Sequence, residues 1–149
     1  MLTPQDFAAT VQAIISRHPE AAIADRWEEA GSIDLNRAPD TSWIRESDDL
    51  INIVWLTDQG IIADITWFPS TQTATFSYLR LSTILQIEIR QGPNLGQQMG
   101  LSLSGELVAT VHTSSHRAGL VWIASDAENA TELRAFVSEV LKRIVEVQA

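Results

Sequence analysis

The chain contains no cysteine. That excludes disulfides, thiolate nucleophiles and zinc–thiolate centres. Bases are scarce: ten, nine Arg and the single Lys142, stand against 19 acids for a net charge of −9. A surface this acidic is repelled by phosphate backbones and anionic lipid, so neither nucleic acid nor a membrane is expected as a partner. Long apolar runs are missing too, since no stretch approaches the ~20 residues that span a bilayer. Met1-Leu2-Thr3-Pro4-Gln5-Asp6 has neither the basic segment nor the apolar block of a leader, so a cytoplasmic location is expected. Asn129-Ala130-Thr131 matches a glycosylation sequon, which means nothing without a secretory route. No internal repeat and no low-complexity tract is visible.

What is present is globular. Hydrophobic residues make up 45% of 149, and mean hydropathy is +0.02. The length fits a single domain, residues 1–149, able to bury a sizeable core. The acid excess is uneven: residues 1–70 hold 12 acids and 4 bases, residues 71–149 hold 7 and 6.

Residues 1–49 read as a helical extension followed by a loop. Thr3 is a capping type, Pro4 suits the first helical position, and Asp6 follows three after the cap. Phe7, Val11, Ile14, Ile15 and His18 recur at helical spacing, and Pro19 stops that helix or starts another. Ala22, Ile23, Trp27 and Ala30 continue a stripe to Gly31, which suits a C-terminal cap. Residues 31–49 read as a connecting loop with a short strand around Trp43-Ile44.

From residue 50 the period becomes two. Leu50–Thr57 and Ile61–Phe68 form a hairpin about Asp58-Gln59-Gly60, with glycine where a positive φ is wanted. Setting Thr57 opposite Ile61 pairs Trp55 with Ala63, Ile53 with Ile65 and Ile51 with Trp67, one apolar face. Asn52, Asp64 and Thr66 fall on the other face, expected to be the wetter one. Further strands are expected at 72–79, with Ala74, Phe76 and Tyr78 on one face, and at 84–91. In the latter Leu85, Ile87 and Ile89 alternate with Gln86, Glu88 and Arg90. Strands at 100–104 and 106–113 make a hairpin about Ser104-Gly105, and the seventh covers 120–124. A closing helix over 128–146 presents Leu133, Phe136, Val137, Val140, Leu141 and Ile144 as its apolar stripe. Ser125…Glu128 and Asn129…Glu132 both have capping-box form.

Seven strands followed by one amphipathic helix resemble the pleckstrin-homology-like (PH-like) superfold, and within it the bacterial PH-like domains. The resemblance spans about residues 50–145. It rests on Trp55-Leu56-Thr57-Asp58-Gln59-Gly60-Ile61-Ile62 and Tyr78-Leu79-Arg80-Leu81-Ser82-Thr83-Ile84. It rests also on Gly119-Leu120-Val121-Trp122-Ile123 leading into Leu133, Phe136 and Leu141. It implies an α+β, mainly β fold: a seven-stranded antiparallel open barrel of two near-orthogonal sheets, capped by the C-terminal helix, over residues 50–149. Phosphoinositide-binding members place Lys and Arg on the first strand and the loop after it. Here Leu50–Ile62 contains no base but Asp58, with Asp64 just beyond, so headgroup binding is not expected.

No motif announces catalysis. His112 and His116 stand four apart but straddle a strand end and a turn, with no third ligand nearby. Ser114 and Ser115 beside His116 lack the G-x-S-x-G elbow of a nucleophile. Glu46, Asp48 and Asp49 form an acidic run without the alternating oxygens and glycine of a calcium loop. Gly92, Gly96 and Gly100 miss both phosphate-cradle spacings. No metal and no cofactor is therefore expected. Trp55, Trp67 and Trp122 suit the core, while Trp27 and Trp43 either pin the N-terminal segment or mark a contact surface.

These readings point to a non-enzymatic interaction module that binds a protein or peptide or assembles with itself. A small barrel holding an apolar molecule, or an enzyme with an unannounced site, is the alternative. The expected docking edge is the uncharged strand Leu101, Ser102, Leu103 and Ser104, beside Phe136 and Val140, where an extended peptide adds by backbone hydrogen bonds. The N-terminal helices are expected to cover that edge.

Overall fold

The computed structural model describes residues 3–35, 37, 39–92, 107–114 and 119–148. Among them seven strands fall into two antiparallel sheets, with helices at both ends, an α+β fold. The chain divides into two compact units, residues 1–79 and 80–149.

The first unit begins with α1, Pro4–Arg17. Thr3 caps it, accepting from the Asp6 N–H with Pro4 in the first turn. His18 ends the helix, and Pro19 opens a 3-10 turn, Pro19–Ala21. α2, Ile23–Ser32, runs one residue past the expected Gly31 cap. Its end is a Schellman motif: Leu35 N–H bonds Ala30 C=O, Asp34 N–H bonds Gly31 C=O, and Asp34 takes the left-handed position at φ 62°.

Thr41–Glu46, read mostly as loop, forms the full strand β1. Thr41-Ser42-Trp43-Ile44 is rich in residues that fit a pleated surface. With β2 (Ile51–Leu56), β3 (Ile61–Phe68) and β4 (Thr73–Arg80) it makes a sheet in sequence order. The β2–β3 register is the expected one: Ile51 opposite Trp67, Ile53 opposite Ile65, Trp55 opposite Ala63. Gly60 holds the turn at φ 74°, and Thr57 N–H closes on Ile61 C=O.

That register sends Ile51, Ile53, Trp55, Ala63, Ile65 and Trp67 to one face, and α1 and α2 bury it. Phe7, Trp27 and Trp55 form a tilted aromatic triad with centroids 5.5–6.0 Å apart. The Trp55 indole N–H donates to Leu35 C=O, tying the α2 exit to the sheet. Trp27 and Trp43 are both buried.

The opposite face is not wet. Asn52 and Asp64 are 1% and 4% exposed. Asn52 Nδ2 donates to Asp64 Oδ1 at 3.0 Å and Ile65 C=O at 3.1 Å, while Thr66 Oγ1 donates to Asp64 Oδ1 at 2.6 Å. Arg45, opposite Asn52, is fully buried and bonds Ser47 and Asp49. Buried polar groups persist where they satisfy one another.

The second unit holds β5 (Ile84–Gln91), β6 (Leu107–Thr113) and β7 (Val121–Ala124), then α3 (Ala127–Gln148). Gly119 passes so close to Val111 that an added Cβ would lie 1.6 Å from its carbonyl oxygen. The α3 capping box is Asp126 with Asn129, not the two expected pairs. Asp126 Oδ1 accepts from Asn129 N–H, and Asn129 Oδ1 accepts from Ser125 N–H. Leu133, Phe136, Val137 and Val140 are buried, with Phe136 edge-on to Trp122 at 5.4 Å. Leu141 departs from the expected stripe and is exposed. On β5 the expected face is not buried either: Leu85 and Ile89 are exposed and Ile87 half-buried, and the register shifts between Ile84 and Gln86.

Candidate functional site

The helix-covered face of the first sheet ends in a cleft of about 300 Å³. Its position follows from the register. Glu46, Ile51 and Trp67 stand in one rank across β1, β2 and β3, at the end of that face. α1 terminates there because Pro19 cannot continue it, which leaves His18 and Glu20 at the rim. The β1–β2 turn contributes Ser47 and Asp48, and the β3–β4 turn Pro69 and Gln72. Gln72 sits at φ 53°, a left-handed conformation costly for a residue with a Cβ.

A clamp fixes one wall. Arg17 binds Glu46 through both arms, Nε to Oε2 at 2.9 Å and Nη2 to Oε1 at 2.7 Å. His18 Nε2 lies 2.7 Å from Glu46 Oε2. An ionised carboxylate only accepts, so Nε2 carries the proton. The Arg17 guanidinium holds the Glu46 carboxyl below its ordinary range; partial burial opposes this and the His18 bond adds to it. His18 Nδ1 faces Glu20 at 3.7 Å.

A histidine oriented by a carboxylate can serve as a general base toward a side-chain hydroxyl or toward water. Ser47, the hydroxyl lining the cleft among the described residues, accepts from Arg45 and bonds Asp49 at 2.7 Å.

Other sequence candidates do not converge. Of the acidic run, Glu46 is spent on Arg17 and His18, Asp49 on Arg45, and only Asp48 lines the cleft. Among the described residues no three His, Cys, Asp or Glu stand close enough to hold a metal. His112 is exposed on β6 opposite Gln86, while His116 and Ser115 lie outside the described residues. Ser114 donates its N–H to Thr83 C=O. Gly96 and Gly100, and the docking edge Leu101, Ser102, Leu103 and Ser104, also lie outside them. Phe136 and Val140 are buried. The sequence reading missed His18, Glu20 and Gln72 as a group. Their only local signal was Pro19, which marks where α1 must stop.

Compared with family models, curated proteins and solved structures, the chain matches none. Among the described residues no helix is long and apolar enough to cross a membrane.

Proposed function

We propose that the chain is a non-enzymatic, cytoplasmic interaction module of the bacterial PH-like kind, its strands making an open barrel. It binds a protein or peptide, or a second copy of itself, rather than phosphoinositides or nucleic acid. The observation that carries this reading is the order of elements: four strands paired in sequence, three more paired in sequence, then one amphipathic helix. The PH-like resemblance likewise implies seven strands and a closing helix, but counts them from residue 50: β1 precedes that span, and the strand expected at 100–104 lies outside the described residues. The commitment of Ser47 to Arg45 and Asp49 supports binding over catalysis.

The lipid exclusion rests on β1 and its loop. With β1 as the first strand, the following loop is Ser47-Asp48-Asp49-Leu50, which has no base. Arg45, the one base of that strand, is buried against Asp49 and cannot reach a headgroup.

Two measurements on the full chain test the reading. Selection from a displayed random-peptide library should enrich a motif, or sedimentation velocity should show reversible self-association. Absence of both overturns it. Vesicles containing phosphatidylinositol bisphosphate should leave the chain in the supernatant at physiological salt, and co-sedimentation at micromolar concentration contradicts the lipid exclusion.

A further inference from the structure

We propose that the cleft of the first unit receives an arginine side chain from a basic segment of a partner protein. This rests on the interaction-module reading and names the partner's chemistry. The argument starts from charge. Residues 1–79 carry 12 acids and only four bases, Arg17, Arg26, Arg37 and Arg45. Each of the four is already ion-paired within the unit, to Glu46, Glu29, Asp34 and Asp49 respectively. Among the described residues the unit therefore has no unpaired arginine or lysine to set against its remaining acids, and its field attracts a basic partner.

The cleft is where that field meets a shaped cavity. Two of the remaining acids, Glu20 and Asp48, line it. Among the described residues Glu20 is approached by His18 at 3.7 Å, and its side chain is 65% exposed. Trp67, largely buried in the core beneath, and Gln72 also line it. Two carboxylates, an indole and an amide lining one cleft suit a planar guanidinium with five donors better than an ammonium. A volume of about 300 Å³ lies at the lower end of small-ligand pockets, enough for one extended side chain. The Arg17–Glu46–His18 clamp sets one wall before the ligand arrives, which reduces the ordering that binding requires.

The test is an amide-resolved NMR titration of the full chain with acetyl-Gly-Arg-Gly-amide. The same peptide with citrulline or Glu replacing Arg provides the controls. Two variants accompany the wild type: E20Q/D48N, in the cleft, and D25N/E28Q, which removes the same charge from exposed positions on α2. All four changes are on the surface, and unchanged thermal unfolding verifies the fold. The arginine peptide should shift His18, Asp48 and Gln72, and the citrulline and Glu peptides should not. Affinity should fall about tenfold in E20Q/D48N and markedly less in D25N/E28Q. Equal losses in the two variants mean diffuse attraction only and overturn the proposal. So do shifts confined elsewhere, or no shifts at millimolar peptide. If library selection yields a motif without arginine, the cleft assignment fails while the interaction module stands; if it yields nothing and the chain does not self-associate, both fail.

Discussion

Gly60 and Gly119 resist substitution for different reasons. Gly60 occupies the left-handed region at φ 74°, where a Cβ costs about 1–2 kcal/mol. Gly60→Ala should lower unfolding stability by that amount in urea titration, with an unchanged slope. Gly119 lacks space rather than conformational freedom: its added Cβ would collide with the Val111 backbone, which cannot rotate aside. Gly119→Ala should therefore cost more than Gly60→Ala in the same assay. Glu46 brings a pH dependence. Its folded-state pKa is lowered, chiefly by Arg17. Such a group stabilises fully above the unfolded value of about 4.3 and loses that contribution as pH falls through the folded value. Its side chain is 29% exposed, so the contribution is about 1 kcal/mol or less. Glu46→Gln should be less stable than wild type at pH 7, and the two should converge as pH falls below that value. A constant difference down to acid unfolding would contradict the clamp.

At the scale of elements, α1 and α2 pack on the first sheet and bury its apolar face. Trp27 touches both Phe7 and Trp55. Trp27→Ala should cost about 3–5 kcal/mol by chemical denaturation. The β2–β3 hairpin was legible because turn glycine and apolar alternation agree on one register. α1 was legible for a similar reason: Thr3, Pro4 and Asp6 all mark the same start. β1 was not, because the Asp and Ser residues around Trp43-Ile44 resemble loop. The polar side of β2 was misread because Asn52 and Asp64 look solvent-facing one at a time. The better clue was Val54, Leu56 and Ile62 between them, since strands buried on both faces read as nearly continuous apolar runs. The cleft was the least legible feature. Arg17 and Glu46 are 29 residues apart, and His18 fell at the spacing of an apolar helical stripe. Their meeting depends on α1 packing across the sheet, which no local pattern encodes.

For the whole molecule, the uneven charge is the feature that chemistry most directly converts into function. The first unit carries 12 acids against four bases, and residues 80–149 carry 7 against 6. Two of the first unit's acids, Glu20 and Asp48, line the cleft, and the four bases of the unit are ion-paired within it. If arginine recognition drives association, the loss on raising salt should be steep, because exposed charges are screened over about 10 Å at 0.1 M. The most direct measurement is the set of intermolecular nuclear Overhauser effects between the acetyl-Gly-Arg-Gly-amide side chain and the full-length protein. The account predicts contacts from the arginine methylenes to the Trp67 indole and Pro69. Contacts confined to other residues, with none to Trp67, would contradict it.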